Sequence, residues 1–120
     1  MSIRYTIRQY WRFSTRRPVY YLGDGLLGKG QALDISLKGG QVNGDQGVRV
    51  GMILTLAVFV TGEAKAITLE KAVVRWAQDG SFGVRTLVMK PEDLARLSCF
   101  VGVLLQKHGA DNIDMHSVSR

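Results

Sequence analysis

Ala66 to Val88 reads AITLEKAVVRWAQDGSFGVRTLV, and this stretch decides the fold class. Ala66 to Trp76 alternates apolar and polar residues, the period of a half-buried strand. Its apolar phase switches between Leu69 and Ala72, which predicts a β-bulge. Asp79-Gly80 is a two-residue hairpin signal, because both positions of such a turn take positive φ. Phe82 to Val88 then supplies the return strand.

The same reading extends towards the N-terminus. Met52 to Val60 is the most apolar strand. Gly28 to Leu37 is another, with Leu33, Ile35 and Leu37 alternating with Asp34 and Ser36. Gly39-Gly40 is expected to break it, and Asn43 to Gly51 to form a loop. Pro18 to Leu22 is a first strand, with proline tolerated at its start. Gly23-Asp24-Gly25 is a turn. After Val88 the period changes. Leu94, Leu97, Val101, Leu104 and Leu105 form the stripe of an amphipathic helix. Pro91 suits its first turn, and Glu92 and Asp93 its positive end. Lys107 and His108 suit the last turn, and Gly109 the stop. Five or six short strands followed by one helix predict a mainly β fold, a small barrel with the helix against its open end.

The chain has 120 residues and 46% hydrophobic residues, the size and composition of one globular domain. No apolar run reaches the roughly 18 residues of a membrane span. No secretory signal is read, and the single cysteine fits a reducing compartment, so a cytoplasmic location is expected. The net charge of +6 is local. Arg4, Arg8, Arg12, Arg16 and Arg17 all lie between Met1 and Arg17, where there is no acid. The other 11 Lys and Arg face all 10 Asp and Glu, leaving +1. Residues 1–17 are therefore expected to be a basic arm, 18–107 the barrel and helix, and 108–120 a loose tail.

Catalytic patterns fail their context tests. Gly23 to Gly28 matches GxGxxG letter for letter but opens no helix, so it reads as a turn. Cys99 beside Phe100 reads as a buried structural cysteine rather than a partner of His108 or His116. No Cys/His spacing fits zinc, and no nucleophile, base and orienting group come together. No catalytic residue, metal or cofactor is expected. What remains is the arginine segment and the stretch DISLKGG, Asp34 to Gly40. Guanidinium forks match phosphate and the O6/N7 edge of guanine, and they stack on flat rings. Arg12, Arg16 and a carboxylate at Asp34 could cage a guanine nucleotide. A solvated basic arm with a Ser/Asp-stabilised turn accounts for the same residues.

At these residues the chain resembles the PilZ domain family. Arg12-Phe13-Ser14-Thr15-Arg16 fits its RxxxR motif, and Asp34 to Gly39 its [D/N]xSxxG motif. Val48 to Leu56, Val73 to Trp76 and Phe82 to Arg85 resemble later strands, with Thr86 where the family usually has an aromatic residue. The resemblance covers about Arg12 to Leu105. It implies a six-stranded antiparallel β-barrel of split-barrel type with a C-terminal helix. It also implies a non-enzymatic receptor for cyclic di-GMP that relays its state to an unidentified protein partner. Arg12 and Arg16 would grip phosphates and guanine faces, while Asp34, Ser36 and Gly39 would wrap the other side. Trp11, Arg17, Gly40 and Trp76 are further candidates, Trp76 either as a stacking surface or as barrel core. Trp11 stands where members that bind a ligand dimer often carry another arginine. An adaptor of pilus or motility assemblies that binds no nucleotide is the alternative. A nucleic-acid-binding barrel is disfavoured by the near-neutral remainder of the chain, and a cyclic di-GMP hydrolase by the lack of metal ligands.

Overall fold

A computed structural model of the chain describes residues 13–60 and 64–112. Six strands and one helix follow in order: β1 (Phe13–Gly23), β2 (Leu26–Ser36), β3 (Gly39–Gly44), β4 (Ile53–Val58), β5 (Ile67–Gln78), β6 (Ser81–Val88) and α1 (Pro91–Asn112). All neighbours pair antiparallel, and the sheet closes into a barrel in the order β1-β2-β3-β6-β5-β4. Closure removes every sheet edge.

The two expected tight hairpins form. Asp24-Gly25 and Asp79-Gly80 all take positive φ, the requirement of a turn that matches strand twist. The predicted bulge forms too. Leu54 pairs with Ala72 and Leu56 with Leu69, so Glu70 and Lys71 together oppose Thr55. The Thr55 hydroxyl donates to the Glu70 carbonyl at 2.8 Å and closes the gap.

Inward-facing positions fill the barrel: Val19, Tyr21, Leu54, Val74 and Phe82 each expose 1% of their surface or less. Tyr21 is the largest plug. Its ring meets Phe82 edge-on, with centroids 5.0 Å apart. Its hydroxyl donates to the Gln46 carbonyl at 2.7 Å and accepts the Gln46 N–H at 2.9 Å, tying the β3–β4 connection to the barrel. Burial pushes the Tyr21 phenol above its ordinary range, and the charge of Asp45 adds to this. The hydrogen bond with the Gln46 backbone opposes it.

Four expectations need correction. Gly39–Gly44 is a strand, not a break and a loop. It lies between β2 and β6 with Val42 as its one buried large apolar side chain. Second, β1 begins at Phe13, so residues 13–17 belong to the barrel and not to an arm. Third, α1 runs past Gly109 to Asn112 with no basic residue in its last turn. Its inward face is Leu97 and Val101, while Leu94 is exposed. Fourth, Cys99 is exposed rather than buried.

The helix is fixed to the barrel by more than apolar contact. Asp93 is 6% exposed, and its carboxylate accepts the Thr68 N–H at 3.1 Å. Arg96 donates to the carbonyls of Ala66 at 2.9 Å and of Lys65. Asp93 thus satisfies a β5 donor as well as standing at the positive end of the helix.

Candidate functional site: the outer wall beside the Ser36–Gly39 turn

Bulges decide which side chains reach this wall. In the β1–β2 pair, Ser14 faces Asp34 and Arg17 faces Ala32, so Thr15 and Arg16 together oppose Leu33. In the β2–β3 pair, Ala32 faces Val42 and Asp34 faces Gln41, which leaves Leu33 without a β3 partner. A bulge re-aims the side chains next to it. Here Ala32 and Ile35 are both buried, and half-buried Asp34 stands between them on the outer face.

Arg16 is exposed, and its guanidinium Nη1 donates to Gln31 Oε1 of β2 at 3.4 Å. Arg17 reaches the other way. Its Nε donates to the Phe59 carbonyl beyond β4 at 3.2 Å. The two adjacent cations therefore serve opposite neighbours of β1. Arg12 and Trp11 lie outside the described residues.

Ser36 is 2% exposed. Its Oγ accepts the Lys38 N–H at 3.2 Å and donates to the Gly39 carbonyl at 3.3 Å. The hydroxyl holds the turn itself. Lys38 continues the link, because its carbonyl accepts the Thr86 N–H of β6 at 2.8 Å. Asp34 is engaged by another group of the chain. Glycine is required at both following positions. A Cβ on Gly39 would lie 2.0 Å from the Val84 carbonyl oxygen, and one on Gly40 would lie 2.6 Å from that of Asp34. Side chains here would force β2, β3 and β6 apart.

One row of cross-strand partners runs through five strands: Ser14, Asp34, Gln41, Gly83 and Trp76. Its far end resolves the two readings of Trp76. Val74 pairs with Val84, but Trp76 pairs with Gly83, so Arg75 is an extra residue. That bulge carries Trp76 out of phase with buried Ala72 and Val74 and onto the outer wall. The indole lies across Gly83, where an added Cβ would sit 2.0 Å from Trp76 Nε1. It keeps 41% of its surface open. Trp76 is not a core residue. Strand spacing sets it roughly 14 Å from Asp34, three steps around the barrel.

Arg85 belongs to neither ligand motif of the sequence. It pairs with Gly39 on one side and Val73 on the other, and it is exposed. The alternation of Phe82 and Val84, both buried, is the signal that Arg85 faces outward. Gln31 has no such signal. Two surface hollows of about 230 and 500 Å³ are lined by residues 46–48 and 77–82 in one case and Asp24 and 49–53 in the other. Among the described residues, no group of three or more His, Cys, Asp or Glu is placed to hold a metal ion. Among the same residues, no helix is long and apolar enough to cross a membrane.

Together these features define a class: a closed six-stranded antiparallel barrel with one docked helix and a glycine-built turn on its outer wall. The chain belongs to the PilZ domain family, whose model matches residues 6–102. Solved structures agree on the fold. The PilZ domain of CeSA from a cellulose-synthesizing bacterium matches with a TM-score of 0.62 at 15% identity, covering 78% of this chain and 96% of that one. The Bacillus subtilis inhibitor of motility, MotI/DgrA, matches with a TM-score of 0.63 at 20% identity. That match covers 78% of this chain and 49% of the inhibitor, so the likeness spans about half of that protein. No curated protein matches the chain by sequence.

Proposed function

We propose that this protein is a receptor for cyclic di-GMP that reports ligand binding through contact with another protein. One observation carries the reading. Arg16 and Asp34 face outward from the adjacent strands β1 and β2, beside a turn that only glycine allows, and the row of cross-strand partners through Asp34 ends at the outward-facing Trp76 indole. A ligand with two phosphates and two guanines needs cationic forks and flat stacking surfaces together. Arg16 supplies a fork and Trp76 a stacking face. Asp34 can accept from a guanine N1–H and N2–H. Ser36, Gly39 and Gly40 act by fixing the turn. In this reading Arg12 completes the first motif.

PilZ domain proteins are typically non-enzymatic receptors, and the reading follows that pattern. The Arg16–Gln31 bond is long and exposed, so a phosphate can displace Gln31 at little cost. Isothermal titration calorimetry with cyclic di-GMP tests the proposal. Saturable binding is expected. Arg16→Ala should weaken it by about tenfold or more, since a hydrogen bond to a charged group is worth about 1.5–3 kcal/mol. Absence of saturable binding at tens of micromolar ligand overturns the proposal and leaves the adaptor that binds no nucleotide.

A further inference from the structure

Arg85 is a cation on the outer face of β6 that neither ligand motif includes. Arg85 is exposed, and among the described residues its side chain makes no hydrogen bond or ion pair. The barrel does not require it. Its inward neighbours Val84 and Phe82 do the packing, and its cross-strand partner Gly39 has no side chain to meet it. Gly83 precedes Arg85 by two residues on the same face, roughly 7 Å away along the strand. The Trp76 indole lies over Gly83. A planar ring stacked on Trp76 would therefore present its edge to the Arg85 guanidinium.

We propose that Arg85 is a specificity-determining residue that reads the guanine stacked on Trp76. The proposal rests on the receptor reading above and extends it across β6. The chemistry is selective. A guanidinium fork donates two parallel hydrogen bonds to guanine O6 and N7, whereas adenine presents an N6 donor where guanine has O6. A lysine at the same position keeps the charge and loses the planar fork. Arg85 thus discriminates between purines, while Arg16 serves the phosphates.

The test compares cyclic di-GMP with cyclic di-AMP by calorimetry on the wild type, Arg85→Ala and Arg85→Lys. Thermal unfolding verifies that all three are equally folded. The wild type is expected to prefer the guanine ligand. Both variants should lose roughly 5- to 150-fold of that preference, the range for one bidentate base contact. If Arg85→Ala weakens both ligands alike and Arg85→Lys restores them, Arg85 is a phosphate contact and the proposal is overturned. It is also overturned if both variants bind and discriminate as the wild type does, which makes Arg85 a solvated surface cation. In either case the receptor reading stands. If the wild type binds neither dinucleotide, the receptor reading itself fails and takes this inference with it.

Discussion

Adding one methyl group at Gly39 should damage both the barrel and the site. In Gly39→Ala the new Cβ would lie 2.0 Å from the Val84 carbonyl oxygen, 3.0 Å from its carbonyl carbon and 3.1 Å from Arg85 Cα. All three are backbone atoms, so no side-chain rotation relieves the clash. Ordinary contact begins at 3.4 Å, so β3 and β6 would have to separate by well over an ångström. The φ of 153° adds some strain, but the contact dominates. The neighbouring bond from Thr86 N–H to the Lys38 carbonyl is 2.8 Å. Stretched by the same amount, it leaves hydrogen-bonding range. Each backbone group stranded in a closed barrel costs about 1–3 kcal/mol, so the whole change should cost about 2–4 kcal/mol.

Urea unfolding measures this directly. The midpoint should fall with little change in slope, because the unfolding surface is nearly the same. Gly47→Ala is the control. Its added methyl meets nothing within 4 Å, and it should stay within about 0.5 kcal/mol of the wild type. The folded fraction of Gly39→Ala should also bind cyclic di-GMP more weakly, since the turn beside Asp34 has moved. If Gly39→Ala unfolds at the wild-type midpoint, the close approach of β3 and β6 is refuted, and with it the structural reason for glycine in the turn.

Two further changes probe the barrel ends. Among the described residues the buried Thr86 hydroxyl has no hydrogen-bond partner, so Thr86→Val keeps the shape, removes a desolvated polar group and should stabilise the fold by about 1 kcal/mol in the same urea assay. A loss of stability would show that the hydroxyl has a partner. Tyr21→Phe removes both bonds to Gln46 and should cost about 1–3 kcal/mol. Tyr21 also sets an alkaline limit. Its folded pKa is raised, so both states are protonated below pH 10 and its contribution is complete there. As pH rises through 10 the unfolded phenol ionises first, and stability falls towards the higher folded value. A pH series of unfolding midpoints should show this decline in the wild type and a flatter curve in Tyr21→Phe.

The elements legible in the sequence carry their own local chemistry. Asp24-Gly25 and Asp79-Gly80 announce hairpins because few residues accept positive φ at successive positions. The phase switch after Leu69 announces a bulge because burial alternates with period two. β3 is hidden for the opposite reason. GGQVNG has one large apolar residue and low strand propensity. Neighbouring backbone atoms leave no room for a side chain at Gly39 and Gly40, and the Tyr21 ring leaves none at Gly44, tertiary facts with no local trace. The start of β1 is hidden by charge. Arg16 and Arg17 look like a solvated arm, yet β1 carries Arg16 on its open side and turns half-buried Arg17 to the Phe59 carbonyl. Cys99 misleads because cysteine is buried on average, whereas its position on α1 faces away from Leu97 and Val101.

The candidate site depends on departures from regular alternation more than on the arginines alone. A strict two-residue period would place Trp76 in phase with Ala72 and Val74, inside the barrel. The extra residue at Arg75 moves it to the wall. Likewise the bulges around Thr15, Arg16 and Leu33 bring Asp34 outward between buried Ala32 and Ile35. A closed six-stranded barrel is too small to hold a dinucleotide inside, because its interior is filled by its own side chains. The proposed site would therefore be built on the outside, from the outward-facing alternate residues of the strands. Bulges choose which residues those are. Glycines at 39, 40 and 83 let the wall lie flat enough for a tryptophan ring to rest on it and for a cation to reach past it.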